Sequence, residues 1–126
     1  MIPDSHRDLL DAPNVAVVTT LGKDGYAQST AVFFDFTGGV LRISITADRA
    51  KYRNLVRDPR LTFFLLDPKN PYRSLEVRGT VTLEDDVGYV FRDQVGKRYA
   101  FDGSKIDGPD TRRIKVTIHP TKVNAR

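Results

Sequence analysis

Between Thr46 and Pro68 the chain reads "TADRAKYRNLVRDPRLTFFLLDP". Its first half carries Arg49, Lys51, Arg53, Arg57 and Arg60 against only Asp48 and Asp58, a density of cations suited to an anion. Asp48 is a good N-cap, and Pro59 stops the helix that follows it. At about 100° per residue, Arg49, Arg53 and Arg57 share one stripe of that helix. Tyr52, Leu55 and Val56 form a buried stripe beside it, and Lys51 and Asn54 lie on the far flank. Two uses of the cluster stay open. One is a solvated face whose arginines pair with nearby carboxylates. The other sets Arg49 and Lys51 in the first turn, where free N–H groups and the helix dipole favour an anion, so that the two cations and the helix start hold a phosphate.

The preceding strands carry the remaining candidates. Gln28, Ser29 and Thr30 are small polar residues, and Ser44 and Thr46 lead directly into the basic helix. They either line a groove beside it or occupy the outward polar positions that every barrel has. The chain shows no Ser–His–Asp arrangement in a usable context, no paired carboxylates in an apolar setting and no Gly-rich phosphate loop. His6 and His119 stand at opposite ends without metal-ligand spacing. With no cysteine, disulfides, thiolate nucleophiles and cysteine metal sites are excluded. If the chain is an enzyme, a bound organic cofactor supplies the reactivity.

The dominant period in the chain is two. "VAVVTTL" (15–21), "YAQSTAVFFDF" (26–36), "VLRISIT" (40–46), "RLTFFLLD" (60–67), "SLEVRGTVTLE" (74–84) and "RRIKVTIHP" (112–120) are expected strands. Asp24-Gly25 marks a hairpin. Leu41, Ile43 and Ile45 point one way from the third run; Leu75, Val77, Val81 and Leu83 do so from the fifth, and Ile114, Val116 and Ile118 from the sixth. The run 60–67 is apolar enough for a strand that is central or covered on both faces, and Phe33, Phe34, Phe63 and Phe64 are expected in the core. In the fifth run, 74–84, Gly79 interrupts the inner row and marks a bend or a close approach. Residues 86–100 read as a second helix with Val87, Val90, Phe91 and Val95 on one side, and a short helix is expected at the N-terminus. The expected fold is mainly β: a six-stranded antiparallel split barrel with two or three short helices, since six such strands close more readily than they form an open sheet with bare edges.

The 126 residues suit one domain, 1–126, and 40% hydrophobic with 29% charged residues places the chain among globular proteins. A formal charge of +4 and a pI near 9.5 favour an anionic partner without specifying nucleic acid. No run approaches the roughly 18–20 apolar residues of a membrane span, and "MIPDSHRDLLDAPN" lacks the apolar segment of a signal peptide. A cytoplasmic protein with no membrane partner is expected.

Taken together, "VAVVTTLGKDGYAQSTAVFFDF" and "LRISITADRAKYRNLVRDPRLTFFLLDPKNPYRSLEVRGTV" resemble the split β-barrel flavin-binding family typified by pyridoxamine 5′-phosphate oxidase. Within it they are most similar to the subgroup that uses the deazaflavin coenzyme F420. The opening hairpin, the R-x-K-x-R-N-L-x-x-D-P helix and the N-P-Y-R-x-L-E-V-R-G strand carry the likeness, which spans residues 9 to 120. The resemblance implies that Lys51 matches the phosphate lysine, with Arg49 and Asn54 at neighbouring positions. It implies that Gln28, Thr30 and Ser44 face the cofactor and that Arg53 and Arg57 meet an anionic tail. It implies a homodimer with the active site at the subunit interface, Tyr72 and Arg73 coming from the second subunit in the loop before strand five. The family's vitamin B6 oxidases carry a longer C-terminal segment than "HPTKVNAR", which argues for another substrate. Ala31 stands where some subgroup members have a polar residue, so FMN stays open as the alternative cofactor.

Three functions follow in order of preference. The first is an oxidoreductase passing a hydride from the reduced deazaflavin to a conjugated small-molecule acceptor, with no dedicated catalytic side chain. The second is a cofactor carrier or sensor without turnover. The third is a small basic barrel binding single-stranded nucleic acid, disfavoured because most aromatics lie in apolar runs.

Overall fold

The computed structural model describes residues 1–126. One antiparallel sheet has the strand order β2-β1-β5-β6-β7-β4-β3. Its strands are β1 (Ala16–Leu21), β2 (Ala27–Val32), β3 (Phe34–Thr37), β4 (Val40–Thr46), β5 (Arg60–Asp67), β6 (Asn70–Asp85) and β7 (Arg113–Ala125). The two edge strands, β2 and β3, are separated in the chain by Phe33 alone, so the sheet curls until its edges meet there as a split barrel. The expected run 26–36 is therefore two strands, which raises the count from six to seven. Its first half pairs with β1 (Val32↔Ala16) and its second with β4 (Phe34↔Ile43). At the break the Phe34 N–H donates to the Tyr99 hydroxyl at 3.2 Å, and Phe33 stacks on the Tyr99 ring at 4.1 Å.

The alternation read from the sequence sets the core. Leu41, Ile43, Ile45, Ile114, Val116 and Ile118 are all buried and meet Phe34, Phe63, Leu65, Leu75 and Val77 inside the barrel. Each such side chain contributes about 1.5–3 kcal/mol when fully withdrawn from water. β5 is central, between β1 and β6, but only one of its faces is covered. Leu61, Phe63 and Leu65 are buried, whereas Phe64 and Leu66 are 38% and 46% exposed. Phe33 is exposed as well, so two of the four phenylalanines expected in the core lie outside it.

Gly79 marks a close approach: a Cβ there would sit 2.2 Å from the His119 carbonyl oxygen. The register slips at that point, Arg78 pairing with Lys122 and Gly79 with Pro120, which leaves Thr121 as the extra residue of a bulge. The bulge lets β7 continue past Pro120 to Ala125, beyond the expected end of the strand. β6 likewise starts at Asn70, so Tyr72 and Arg73 belong to the strand and not to a loop before it.

Three helices pack outside the barrel. α1 (Arg7–Asp11) plugs one end with Leu9 and Leu10. α2 (Ala50–Arg57) follows β4. Its N-cap is Arg49 rather than Asp48, because the chain is still extended at Arg49 (φ −86°, ψ 153°). Leu55 is buried as expected, but Val56 is 61% exposed, and the inward position is taken by Asn54. α3 (Val90–Tyr99) starts late because Gly88 and Tyr89 adopt left-handed conformations (φ 72° and 59°). The Asp86 carboxylate reaches across that kink to accept the N–H groups of Phe91 and Arg92 at 3.0 and 2.9 Å. Phe91 and Val95 are buried, while Val87, which the kink leaves before the helix, and Val90, the first residue of α3, face outward, 84% and 69% exposed. No helix is long and apolar enough to cross a membrane.

Candidate functional site

A cavity of about 360 Å³ opens where β2, β4 and the start of α2 meet. β2 and the break after it supply Thr30, Ala31, Val32 and Phe33. The end of β4 supplies Ser44, Ile45 and Thr46, and the α2 start supplies Arg49 and Lys51. Arg92 and Val95 of α3, Phe101 and Ile106 of the following loop, and Arg113 of β7 close it. Four of the expected site residues, Thr30, Ser44, Arg49 and Lys51, thus come together.

The cavity is cationic. Arg49, Lys51, Arg92 and Arg113 all reach the lining, and no acidic side chain does. The Lys51 ammonium is half-buried and donates to the Thr30 hydroxyl at 3.3 Å. Burial first, then the neighbouring charges of Arg49 and Arg113, lower its pKa from 10.5. No side chain caps the first turn of α2, so its N–H groups are free of side-chain acceptors. Arg92 and Arg113 are paired with Asp107, whereas Arg49 and Lys51 have no carboxylate partner. These two cations, a free helix start and the hydroxyls of Thr30, Ser44 and Thr46 form a donor set suited to a phosphate. The rest of the lining is mostly apolar: Val32, Phe33, Ile45, Val95, Phe101 and Ile106, the last of which also borders an adjoining cavity with Arg49 and Arg113. Phe33 stacks on Tyr99, and its ring lies 5.4 Å from that of Phe101, tilted by 37°.

The remaining expected residues stand elsewhere. Asn54 is buried behind the cavity, donating to the Thr20 hydroxyl at 3.0 Å and to the Gln28 amide oxygen at 3.4 Å. Its own oxygen accepts from Arg57, which also donates to the Leu21 carbonyl, so this cluster ties α2 to β1. Arg53 turns back to the Asp48 carbonyl at 3.0 Å. Tyr72 is 90% exposed and far from being enclosed by its own chain. Arg73 is engaged within its own chain, pairing with Asp8 and Asp67 and donating to the Ser5 carbonyl. Those bonds fasten the N-terminal segment to the β5–β6 turn.

Sequence reasoning missed Arg92, Arg113, Phe33, Val95, Phe101 and Ile106 as lining residues. Arg113 enters because Thr46 and Arg113 are cross-strand partners, a pairing between residues far apart in the chain. No local pattern in "DTRRIK" announces it.

The family model described as pyridoxamine 5′-phosphate oxidase matches residues 2–124. Among solved structures, an "F420 Reductase" is 32% identical over 98% of both chains, with a TM-score of 0.89. A pyridoxamine 5′-phosphate oxidase-like protein from Listeria innocua is 22% identical over 97% of this chain and 95% of its own, with a TM-score of 0.74. HutZ, a haem storage protein from Vibrio cholerae, shares the fold at 13% identity, 96% and 92% coverage and a TM-score of 0.70. No curated protein matches the chain.

Proposed function

The chain belongs to the pyridoxamine 5′-phosphate oxidase family, and from that membership we propose that it is an oxidoreductase using the deazaflavin coenzyme F420, with FMN as the alternative cofactor. The observation that carries the reading is a cavity with two unlike kinds of lining: cations without carboxylate partners at the α2 start, and apolar surface that includes Phe33 and Phe101. Lys51, Arg49 and the free N–H groups of α2 hold the cofactor phosphate. Thr30 and Ser44 orient the chain beyond it, and Phe33 and Val32 take the ring system. When bound, the deazaflavin supplies a hydride for a conjugated small-molecule acceptor. The protein's part is orientation and exclusion of water. The lining offers hydroxyls, cations and apolar surface, and the proton that completes the reduction comes from solvent.

Charge-assisted hydrogen bonds contribute roughly 1.5–3 kcal/mol each. Lys51→Ala is therefore expected to weaken deazaflavin binding at least about tenfold, which corresponds to about 1.4 kcal/mol, without lowering the melting temperature. A fluorescence titration of both proteins, run beside FMN, checks this. Unchanged affinity overturns the phosphate assignment, and tighter binding of FMN moves the cofactor to FMN. Cofactor binding without reduction of any quinone, enone or tetrapyrrole favours a carrier.

We further propose that the protein works as a homodimer. Val17 and Phe64 are cross-strand partners on the outer face of β1 and β5, and both are 38% exposed. Val15 and Leu66 extend the same band, at 55% and 46% exposed. Contiguous apolar surface of this kind is suited to a second copy. Of the two residues expected to reach into the partner's site, Tyr72 is free to do so, whereas Arg73 is held by its own chain.

A further inference from the structure

Part of the apolar lining, Phe101 and Ile106, comes from the loop of residues 101–111, and one buried carboxylate fastens that loop. Asp107 is 4% exposed at its side chain. It accepts from Arg113 through both oxygens, at 2.9 and 2.8 Å, and from Arg92 at 3.1 Å. A single loop residue is thus fastened to β7 and to α3 at once. Two further contacts seat the loop. Gly103 lies so close to Arg92 that a Cβ there would be 2.8 Å from the arginine Cδ and Nε. The Phe101 N–H donates to the Gly96 carbonyl at 2.9 Å. The residue beside Asp107 is Ile106, 65% exposed although it lines the cavity. Its apolar surface is available to whatever enters.

We propose that Phe101 and Ile106 are the specificity-determining residues of this cavity, selecting a flat uncharged ring system, and that Asp107 is the positioning residue that holds them. The proposal deepens the cofactor reading above, on which it rests for the orientation of the ligand. Asp107 has a second effect. Its carboxylate partly neutralises Arg113, a cation that also lines the cavity. Removing that charge frees the loop and at the same time strengthens the positive field near Lys51. Ring binding and phosphate binding should then respond with opposite sign, which a general loss of packing would not produce.

Riboflavin and inorganic phosphate separate the two responses, since riboflavin carries the ring without the phosphate. Flavin fluorescence and calorimetry on the whole protein read the two affinities at low ionic strength. Asp107→Asn is expected to weaken riboflavin at least about fivefold while phosphate binds about twofold tighter or more. Ile106→Ala, at an exposed position, is expected to weaken riboflavin at least about threefold and leave phosphate unchanged. The proposal is overturned if Ile106→Ala leaves riboflavin affinity unchanged, if phosphate weakens together with riboflavin in Asp107→Asn, or if the unmodified protein does not bind riboflavin. A protein that binds riboflavin but not phosphate fails the phosphate reading instead, and Ile106→Ala still decides the loop.

Discussion

Lys51 is an unusual lysine because its surroundings oppose its charge. Burial and the nearby Arg49 and Arg113 all disfavour the ammonium, and no carboxylate lines the cavity to offset them. A phosphate would reverse this, because an anion favours the protonated form. Binding therefore raises the lowered pKa. The sign follows directly: affinity is full below the pKa of the free protein and falls as pH rises through it, until the pKa of the complex is passed. Because the free value lies below 10.5, the loss begins at a lower pH than an ordinary lysine would show. Arginine keeps its proton to far higher pH, so Lys51→Arg should flatten the alkaline limb even if the absolute affinity changes. Dissociation constants for the deazaflavin or FMN measured from pH 7 to 10.5 test this. An alkaline limb that persists unchanged in Lys51→Arg would assign the titration to another group.

At the scale of elements, the bulge between β6 and β7 is the point where backbone geometry leaves least freedom. A Cβ at position 79 would sit 2.2 Å from the His119 carbonyl oxygen and 2.8 Å from its carbon, both backbone atoms. Neither can rotate away, so the strands must separate. Gly79→Ala is expected to cost about 2 kcal/mol or more, read as a lower denaturation midpoint in urea. A midpoint equal to the parent's would mean that the close approach relaxes without cost. This glycine was legible as a break in the inner row, just as Leu41, Ile43 and Ile45 were legible as an inward face. Period-two alternation reports one covered side directly. The local part of the site was legible too, because Ser44, Arg49 and Lys51 fall within eight consecutive residues and Thr30 on the neighbouring hairpin. Arg113, Arg92, Phe101 and Ile106 were not. They reach the cavity through the β4–β7 pairing and the Asp107 clamp, and nothing local encodes a long-range pairing. Val87 and Val90 misled for a different reason: helical spacing predicts a buried stripe, but the left-handed turn at Gly88 and Tyr89 leaves Val87 outside the helix and makes Val90 its exposed first residue.

The apolar run of β5 raises the question at the scale of the whole molecule. Such a run has the same appearance whether its second face is covered by the same chain or by another copy. Here the chain covers one face only, leaving Phe64 and Leu66 outside beside Val15 and Val17. The face lies on β1 and β5, and β1 pairs directly with β2, whose residues Thr30 to Val32 line the cavity. A second copy seated there would lie next to the site, and stable association requires it to cover roughly 800 Å² per partner. Phe64→Glu places a charge in the middle of that band without touching the core, since the core neighbours on β5 are Phe63 and Leu65. Burying the new carboxylate unpaired would cost several kcal/mol, enough to prevent association while leaving each barrel folded. The expected outcome is a dimer for the parent and a monomer for Phe64→Glu in analytical ultracentrifugation, with circular dichroism and melting temperature little changed. Cofactor affinity should fall with dissociation if Tyr72 of the second copy completes the site, and should hold if one barrel suffices. A parent protein that sediments as a monomer at working concentrations would show that the band on β1 and β5 meets something other than a copy of itself.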